Sequence, residues 1–308
     1  MTHKIALVGI GKIAVDQHVP ALAASDDFDL AATASRNAGV DGVDRHASLA
    51  DLLAARDDIP CVSLATPPHV RYADARAALM AGRHLMLEKP PGATLSEVED
   101  LIALARARGL TIYCTWHSRH AAAVAAARDW LDGRAIRRLE IRWKEDVRHW
   151  HPGQDWVWQP GGLGVFDPGI NALSVLTAIF PRALHLTGAQ LHFPANRDTP
   201  VAAELAFHDP GGAEVTAAFD WLKDGAPEWD IHIETDASYA LLSEGGARLT
   251  VDGVEADLPE APGEYPALYA RFAALLAAGD SDTDLAPLRH VADAFTLGRR
   301  ITAAPFDW

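Results

Sequence analysis

The sequence predicts an α/β protein of two domains. Residues 1–118 alternate short apolar runs with helix-like stretches, the order that forms a doubly wound parallel sheet. Residues 184–252 contain successive strand-like runs with no helix between them, which is typical of a large, mainly antiparallel open sheet. A chain of 308 residues is also longer than one domain usually is. We therefore expect a parallel α/β domain over residues 1–118 and an α+β domain over residues 119–308.

The predicted N-terminal domain is built on five strands. These are residues 4–8, 29–35, 61–65, 84–87 and 110–115, with helix-like stretches at residues 48–55, 69–81 and 95–108 between them. Thr94 and Glu97 have the spacing of a capping box, which marks the start of the last of these helices. Gly82 and Gly109 follow the ends of two helices, where glycine is common.

The predicted C-terminal domain begins with a helix at residues 121–130 and a strand at residues 136–147. A segment rich in tryptophan, glycine and proline follows, and then a helix at residues 169–179. The strands expected in the antiparallel sheet are residues 184–193, 201–207, 213–221, 229–235, 239–243 and 247–251. Two helical stretches, at residues 265–278 and 285–301, close the chain.

The overall charge argues against several classes of partner. Lysine and arginine number 27 and aspartate and glutamate 42, a formal net charge of −15 that opposes binding to nucleic acid or to an anionic membrane. An anionic cofactor would need a local positive site. No apolar run is long enough to span a membrane, and the first residues do not resemble a signal peptide. We therefore expect a cytoplasmic protein with Cys61 and Cys114 as buried free thiols.

The first strand is followed by a glycine-rich turn, the sequence GIGKIA at residues 9–14. This is a dinucleotide-binding fingerprint with alanine in place of the third glycine. Gly9 allows the tight turn, and Gly11 lets the backbone approach a pyrophosphate. The helix that starts here directs free N–H groups at the phosphates. Because the turn lies in a β-α-β context, it predicts a Rossmann domain that binds a dinucleotide.

The end of the second strand indicates which dinucleotide is bound. An NAD site places Asp or Glu there to accept from the ribose 2′-hydroxyl, but this strand ends in Ser35 and Arg36. A carboxylate would repel a 2′-phosphate, whereas Ser35 and Arg36 can hydrogen-bond and neutralise one. We expect NADP as the cofactor, with NAD also accepted. The other interpretation of Arg36 is an ordinary solvated surface residue.

Two further motifs complete a resemblance to a known family. The third predicted strand ends in ATPPH at residues 65–69, and the fourth ends in MLEKPP at residues 86–91. In order and spacing, these motifs and the glycine turn resemble the glucose–fructose oxidoreductase/inositol dehydrogenase/MocA (Gfo/Idh/MocA) family. Residues 143–154 and 160–171 further resemble its subgroup of aldose 1-dehydrogenases that act on L-arabinose and D-galactose.

The resemblance implies a role for Lys89, between the nicotinamide and the substrate. Its cation would hydrogen-bond the reacting oxygen, or relay protons if burial made it neutral. The other interpretation is an exposed lysine at a strand end. The cofactor-binding residues that the motifs and the resemblance imply are Gly9, Ile10, Gly11, Lys12, Ile13, Ser35, Arg36, Thr66, Pro67, His69, Glu88 and Lys89.

One departure from the family pattern bears on the catalytic base. The wider family often has a Gly-Gly…Asp-x-x-x-His motif with histidine as the base, but this chain has Asp167 followed by Asn171. Asparagine cannot accept the proton, so Asp167 is the expected base and Asn171 the residue that orients the hydroxyl. Four residues apart on a helix, the two side chains would share one face. The alternative role of Asp167 is that of helix N-cap.

A sugar substrate is favoured by the tryptophan-rich segment. Four of the nine tryptophans fall between residues 143 and 158, interleaved with polar side chains, and indole rings suit the C–H faces of a pyranose. The other interpretation is a packed interdomain loop. The expected catalytic residues are Lys89, Asp167 and Asn171. The expected substrate-binding residues are Lys89, His117, Glu145, Trp150, His151, Asp167, Asn171 and Trp229.

Together these inferences indicate an NAD(P)-dependent aldose 1-dehydrogenase. It would oxidise the anomeric C1 hydroxyl of a free pyranose (L-arabinose, D-galactose or D-fucose) to the aldonolactone, in a cleft between the two domains. The alternatives are a dehydrogenase of another sugar or inositol carbon and a non-catalytic NADP-binding sensor. No metal is expected, because His149 and His151 have no obvious third ligand.

A homodimer or a dimer of dimers through the C-terminal sheet is also expected. Apolar residues alternate along its strands, and a second copy would cover a face that the chain's own helices leave open. These residues are Leu205, Phe207, Phe219, Ile231 and Ile233.

Overall fold

The structure is a computed structural model that describes residues 2–308. The chain folds into two compact units. Unit 1 combines the chain up to His117 with Pro262–Leu285, and unit 2 combines Ser118–Ala261 with Ala286–Trp308. The first crossing between them lies at the predicted boundary, but residues 262–285 belong to unit 1 and not, as expected, to the C-terminal domain. Among the described residues, no helix is long and apolar enough to cross a membrane.

Unit 1 contains a parallel sheet of six strands within its described residues, in the order β3-β2-β1-β4-β5-β6. The strands are β1 (His3–Val8), β2 (Phe28–Ala34), β3 (Asp44–His46), β4 (Cys61–Leu64), β5 (His84–Leu87) and β6 (Ile112–Cys114). The predicted doubly wound sheet is confirmed. The strand order reverses between β1 and β4, which is where such sheets bind ligands, at the carboxyl ends of the strands.

The helices of unit 1 are α1 (Val19–Ala23), α2 (Leu49–Ala55), α3 (Pro68–Met80), α4 (Leu95–Ala107) and, from the later part of the chain, α8 (Glu264–Ala278). A π-helical segment, Ala14–His18, precedes α1. The capping box at Thr94 and Glu97 is confirmed.

Helix α8 belongs to unit 1 because its apolar face completes the core of the parallel sheet. Tyr269 and Phe272 of α8 pack against Phe28, and the rings of Phe28 and Phe272 are stacked with their centroids 5.5 Å apart. Cys61 and Cys114 lie in this unit as buried free thiols, as predicted. Burial raises the pKa of the Cys61 thiol to about 12.

Unit 2 contains a sheet of nine strands within its described residues, in the order β14-β13-β12-β11-β7-β10-β9-β8-β15. The strands are β7 (Ile136–Lys144), β8 (His185–Pro194), β9 (Ala202–His208), β10 (Glu214–Asp220), β11 (Glu228–Thr235), β12 (Tyr239–Ser243), β13 (Arg248–Val251), β14 (Val254–Glu255) and β15 (Arg299–Ala303). Neighbouring strands are antiparallel except for the pairs β7–β10 and β8–β15, which confirms a mainly antiparallel sheet.

The helices of unit 2 are α5 (Val124–Leu131), α6 (Val147–Trp150), α7 (Phe166–Ile179) and α9 (Ala286–Leu297). The prediction of a single helix over residues 285–301 is wrong at its end. Helix α9 stops before Gly298, and Arg299–Ala303 instead forms β15, paired with β8. A glycine at this position is typical of a helix end.

The expected apolar residues of the sheet all lie on one face, and that face is covered within the chain. The strand register places all five side chains on the same side of the sheet, and each is buried. They are Leu205, Phe207, Phe219, Ile231 and Ile233. Phe166 of α7 and His290 of α9 contact this face through their rings. Because the opposite face carries charged side chains such as Glu140 and Arg142, the apolar argument for a dimer is wrong. The oligomeric state stays a prediction.

Candidate active site

The glycine-rich turn after β1 has the shape that the fingerprint requires. Gly9 has a φ of +87°, and a Cβ atom there would lie 2.8 Å from the Thr66 Cγ2 atom, so only glycine fits. A Cβ atom on Gly11 would meet nothing within 4 Å, which leaves open space beside the backbone. The predicted residues Ile10, Lys12 and Ile13 follow in the same turn, and Lys12 forms an exposed ion pair with Asp16.

The loop after β4 lies against this turn. Thr66 is half-buried, and its hydroxyl oxygen Oγ1 is buried with no hydrogen-bond partner among the described residues. Pro67 is also half-buried, whereas His69 is exposed at the start of α3. A buried hydroxyl beside an open glycine is the arrangement expected where a polar ligand completes the hydrogen bonding.

Two arginines lie together at the end of β2, and only Arg36 was expected there from the sequence. Ser35 donates its backbone N–H to the His46 carbonyl at 3.0 Å, which places β3 alongside. Arg45 of β3 then donates from Nη2 to the Arg36 carbonyl at 3.4 Å, so two exposed guanidinium side chains lie at this edge. Arg45 was missed because β3 has no apolar residue to reveal it as a strand.

Glu88 is a buried carboxylate, and both of its oxygens are hydrogen-bonded within unit 1. Oε2 accepts from the backbone N–H of Lys89 at 2.6 Å, and Oε1 accepts from the Tyr265 hydroxyl at 2.8 Å. His18 Nε2 lies 3.4 Å from Oε1. Burial would raise the pKa of Glu88, but the adjacent His18 ring and the nearby side chains of His117 and Lys89 lower it to about 2. The carboxylate thus holds the peptide that carries Lys89.

This charge makes the stability of unit 1 depend on pH. The folded pKa of about 2 lies below the ordinary 4.5, so ionised Glu88 contributes stability fully above about pH 4.5, and that contribution is lost as pH falls toward 2. We expect the free energy of unfolding of Glu88→Gln to be lower than that of wild type at pH 6. The difference should shrink as pH is lowered to about 3, because the wild-type carboxylate must then bind a proton. Urea unfolding of both proteins at each pH measures this difference in the free energy of unfolding. A difference that grows toward low pH would contradict the lowered pKa of Glu88.

Arg71 of α3 holds the loop that contains Lys89. Its guanidinium is buried and donates to the carbonyl oxygens of Thr66, Glu88 and Pro90. These carbonyls lie after β4 and β5, so one side chain joins the two loops. Arg71 was not among the predicted site residues, because nothing in the local pattern distinguishes a buried arginine from an exposed one on a helix. Lys89 itself is half-buried.

His117 lies after β6 and contacts α8. Its Nδ1 atom is 2.6 Å from the Glu264 Oε2 atom, and its ring stacks on Tyr265 with the centroids 5.6 Å apart. The predicted sites Glu88, Lys89 and His117 therefore share one network in unit 1. The network also includes His18, and two further members, Tyr265 and Glu264, come from a helix that was expected in the C-terminal domain.

Asp167 and Asn171 both lie in α7 of unit 2. The helix begins at Phe166, earlier than predicted, and Val165 occupies the N-cap position, so the N-cap interpretation of Asp167 is wrong. Asp167 instead lies in the first turn, where the positive end of the helix dipole favours a carboxylate. Its side chain is 9% exposed, and the half-buried Asn171 follows one turn later on the same face.

His151 reaches Asp167 from a different element. It follows the four-residue helix α6, and its Nε2 atom lies 3.1 Å from the Asp167 Oδ2 atom. On the other side of the ring, Nδ1 lies 3.3 Å from the Gln154 Oε1 atom. Both residues were expected at the substrate, but the sequence did not predict that they pair.

Glu145 is a buried carboxylate held by two tryptophans. Trp229 donates from Nε1 to Oε2 at 2.8 Å, and Trp221 donates from Nε1 to Oε1 at 3.2 Å. Burial raises the pKa of Glu145, and the negative charge of Asp167 raises it further, whereas the tryptophan N–H groups and His151 oppose the shift. Trp221 also packs edge-on against the His151 ring, with the centroids 5.4 Å apart, so Trp221 and His151 together link Glu145 to Asp167.

The tryptophans of residues 143–158 divide into core and surface residues. Trp143 and Trp158 are buried, while Trp150 is 37% exposed and packs on Trp229 with the ring centroids 5.6 Å apart. Trp221, which is fully buried, was missed as a site residue because it is an apolar residue at the end of a strand. Of the predicted aromatic contacts, Trp150 and Trp229 remain available beside Glu145.

A separate cluster on β11 has the composition of a metal site. One ligand atom each of Glu228, Asp230 and His232 lies within 4.8 Å of the others. However, Lys144 Nζ lies 3.6 Å from the Glu228 Oε2 atom, so a cation already occupies part of the cluster's coordinating capacity. The cluster lies on the charged face of the sheet, opposite the face of Trp229.

Comparison with known proteins assigns the chain to a family. The model of the Gfo/Idh/MocA oxidoreductase family, NAD-binding Rossmann fold, matches residues 3–115. A galactose 1-dehydrogenase from Pseudomonas fluorescens is 43% identical over 303 residues, which is 98% of each protein. The chain belongs to this oxidoreductase family. The family resemblance that the three motifs predicted is confirmed.

Two solved structures share the whole fold. The crystal structure of a D-galactose-1-dehydrogenase protein from Rhizobium etli has a TM-score of 0.95 and 54% identity, covering 99% of this chain and 98% of that one. A 3-ketoreductase from Actinomadura kijaniata, solved in complex with NADP, has a TM-score of 0.85 and 21% identity, covering 98% of this chain and all (100%) of that one. The second likeness concerns the fold alone.

The glycine turn of this family member fits a dinucleotide. The open space beside Gly11 and the orphaned Thr66 hydroxyl lie at the carboxyl ends of β1 and β4, where the strand order reverses. The N–H groups of the following helical residues lie beyond this turn, where they can receive a pyrophosphate. These residues therefore fit the nicotinamide cofactor of the family.

Proposed function

We propose that this protein is an NADP-dependent aldose 1-dehydrogenase that oxidises the C1 hydroxyl of a free pyranose to the aldonolactone. The observation that carries the proposal is the similarity to galactose 1-dehydrogenases over the whole chain. D-Galactose is accordingly the first substrate to test. L-Arabinose and D-fucose are further candidates, because they share its hydroxyl pattern near C1 and differ mainly at C5.

In this proposal unit 1 binds the dinucleotide. The turn at residues 9–13 receives the pyrophosphate, Thr66 and Pro67 line the loop beside it, and Arg36 with Arg45 receives the 2′-phosphate. His69 and Glu88 were also expected to contact the cofactor. We now assign Glu88 to the support of Lys89, because both carboxylate oxygens are used inside the protein.

The sugar is bound, in this proposal, mainly by unit 2. Trp150 and Trp229 offer ring faces to the pyranose, and Glu145 accepts a hydrogen bond from a sugar hydroxyl with the remaining lone pairs of its oxygens. His117 of unit 1 supplies a further polar contact. A neutral sugar suits a protein of net charge −15, because it is not repelled.

The reaction removes a hydride and a proton from the same C1–OH group. When bound, the nicotinamide supplies the hydride acceptor. Asp167 accepts the hydroxyl proton as the general base. The Lys89 ammonium donates a hydrogen bond to O1, which stabilises the charge that develops on this oxygen. The Asn171 amide, which makes no side-chain hydrogen bond among the described residues, orients the same hydroxyl.

A screen of aldoses with both cofactors tests the proposal. The purified protein is mixed with D-galactose, L-arabinose, D-fucose and myo-inositol, and NADPH or NADH formation is followed by absorbance. Hydroxylamine then traps a lactone as its hydroxamate, which a ketone product does not form. A ketone would favour the dehydrogenase of another sugar or inositol carbon. No reduced cofactor with any sugar would favour the non-catalytic sensor.

Cofactor choice depends, in this proposal, on Arg36. We expect Arg36→Ala to lower kcat/KM for NADP roughly 10- to 150-fold, because a charge-assisted hydrogen bond contributes about 1.5–3 kcal/mol. The kcat/KM for NAD, which has no 2′-phosphate, should change little. Steady-state kinetics with each cofactor at saturating sugar measure both values.

Two further arginine variants make the cofactor experiment specific. Arg45→Ala should show a smaller loss in the same direction, since Arg45 reaches this edge from β3. Arg76→Ala, at an exposed position of α3, is the matched control. Equal losses of kcat/KM with NADP and NAD in Arg36→Ala would contradict the assignment of Arg36 to the 2′-phosphate.

A homodimer or dimer of dimers through the C-terminal sheet remains part of the proposal. The surface concerned is now the charged face that contains Glu140, Arg142 and Glu228.

A further inference from the structure

This chain differs from the family motif at position 171, where it lacks the histidine. The resemblance implies a histidine one turn after the aspartate of α7, and this chain has Asn171 there. The structure places a different histidine against the same aspartate. His151 lies 20 residues earlier in the chain than position 171, and its Nε2 atom is 3.1 Å from Asp167 Oδ2.

The surroundings of His151 determine which of its nitrogen atoms carry protons. Trp156 donates from Nε1, which can only be a donor, to the Gln154 Oε1 atom at 3.1 Å, so this oxygen is identified as the acceptor in the amide. His151 Nδ1 faces the same oxygen at 3.3 Å and must therefore donate. Nε2 faces a carboxylate and donates as well. Both ring nitrogens then carry protons, and the ring is an imidazolium cation.

The pair is arranged so that the carboxylate lies deeper than the ring. The side chain of Asp167 is 9% exposed and that of His151 is 20% exposed. Trp221 packs on the ring and fixes its orientation, and the same tryptophan donates to Glu145. The negative charge of Glu145 also acts on this pair and opposes the ionisation of Asp167. A cation beside Asp167 counters that effect.

We propose that His151 is a positioning residue that keeps Asp167 ionised and holds its carboxylate in place through Oδ2. Asp167 accepts the proton as the O1–H bond breaks, while His151 Nε2 donates a hydrogen bond to Oδ2. Asp167 then carries that proton, and C1 loses its hydride to the nicotinamide, so the two electrons and the proton are accounted for. This inference rests on the proposed function and extends it by naming the residue that makes Asp167 a competent base.

The kinetic test removes or keeps the charge at position 151. In His151→Gln an amide N–H can still donate but the charge is gone, so the acid limb of the kcat profile should move to higher pH by about one to three units. At the alkaline plateau, where Asp167 is ionised in any case, turnover should approach that of wild type. His151→Arg keeps a cation and should leave the acid limb near its wild-type position. The control is His185→Gln, at an exposed position of β8, which should leave the profile unchanged.

A measurement without turnover separates this inference from the proposed function. In protein labelled with ¹⁵N-histidine, the resonance that disappears in His151→Gln should have imidazolium shifts at pH 8, and neutral shifts in Asp167→Asn. Neutral shifts in wild type would overturn the inference, as would an unmoved acid limb in His151→Gln. Imidazolium shifts in a protein that oxidises no aldose would support the ion pair but overturn the proposed function, and with it any catalytic role of His151.

Discussion

Asp167→Asn should lower kcat for the preferred aldose about 10²- to 10⁴-fold, since a general base contributes about 3–5.5 kcal/mol to the barrier. Asparagine keeps the size and polarity of the side chain and removes only the basic site. In the structure Asp167 is the carboxylate in the first turn of α7 that is paired with His151. The KM for NADP should change little, because Asp167 lies in unit 2 and the dinucleotide fingerprint in unit 1.

The pH dependence of this variant distinguishes a base from a binding residue. Wild-type turnover should fall at low pH as the carboxylate takes up a proton, and that acid limb should be absent in Asp167→Asn. Asn171→Ala loses only an orienting amide, so its kcat should fall less than that of Asp167→Asn unless the two residues act as one unit. If Asp167→Asn keeps more than roughly a tenth of wild-type turnover, against the loss expected for a base, Lys89 or His151 is the proton acceptor.

Lys89→Met should lower kcat about 10²- to 10³-fold, the usual effect of removing one donor that stabilises a developing oxyanion. Methionine keeps much of the length of the side chain but has no cation. The backbone N–H of Lys89 would still donate to Glu88, and Arg71 would still hold the neighbouring carbonyls, so the loop should keep its conformation. We therefore expect kcat to fall much more than the KM for either substrate rises.

Two variants control for charge in this experiment. Lys4→Met removes an exposed lysine of the same unit, one that pairs with Asp58, and should leave kcat unchanged. Lys89→Arg keeps a positive charge in a group that does not lose its proton, so partial activity would favour charge stabilisation over proton transfer. A loss in Lys4→Met equal to that in Lys89→Met would show that net charge, and not position, is responsible.

Local pattern was sufficient for most elements of the fold. The run at residues 239–243 was predicted with the bounds that β12 has, and the capping box placed the start of α4. The strand β3 could not be found in this way, because its three residues, Asp44, Arg45 and His46, include none that is apolar. It forms because its backbone pairs with β2, and that pairing is a long-range property.

The ends of elements depended on context in a similar manner. Residues 299–301 have no strong strand pattern of their own, so the predicted last helix extends through them to residue 301. Gly298 was the signal that could have ended the helix there. The strand exists because β8 offers a free edge to it, and only the assembled sheet provides that edge.

The sequence by itself determined the parallel sheet, the glycine turn, the motif that contains Lys89 and the pair Asp167 and Asn171. Each of these depends on residues close together in the chain, whose spacing sets their geometry. The tertiary structure alone decided that α8 completes unit 1, that Tyr265 and His18 hold Glu88, and that His151 pairs with Asp167. In these cases the contact joins different elements of the chain. Its stability comes from burial and paired charges that exist only after folding, so no local pattern can encode it.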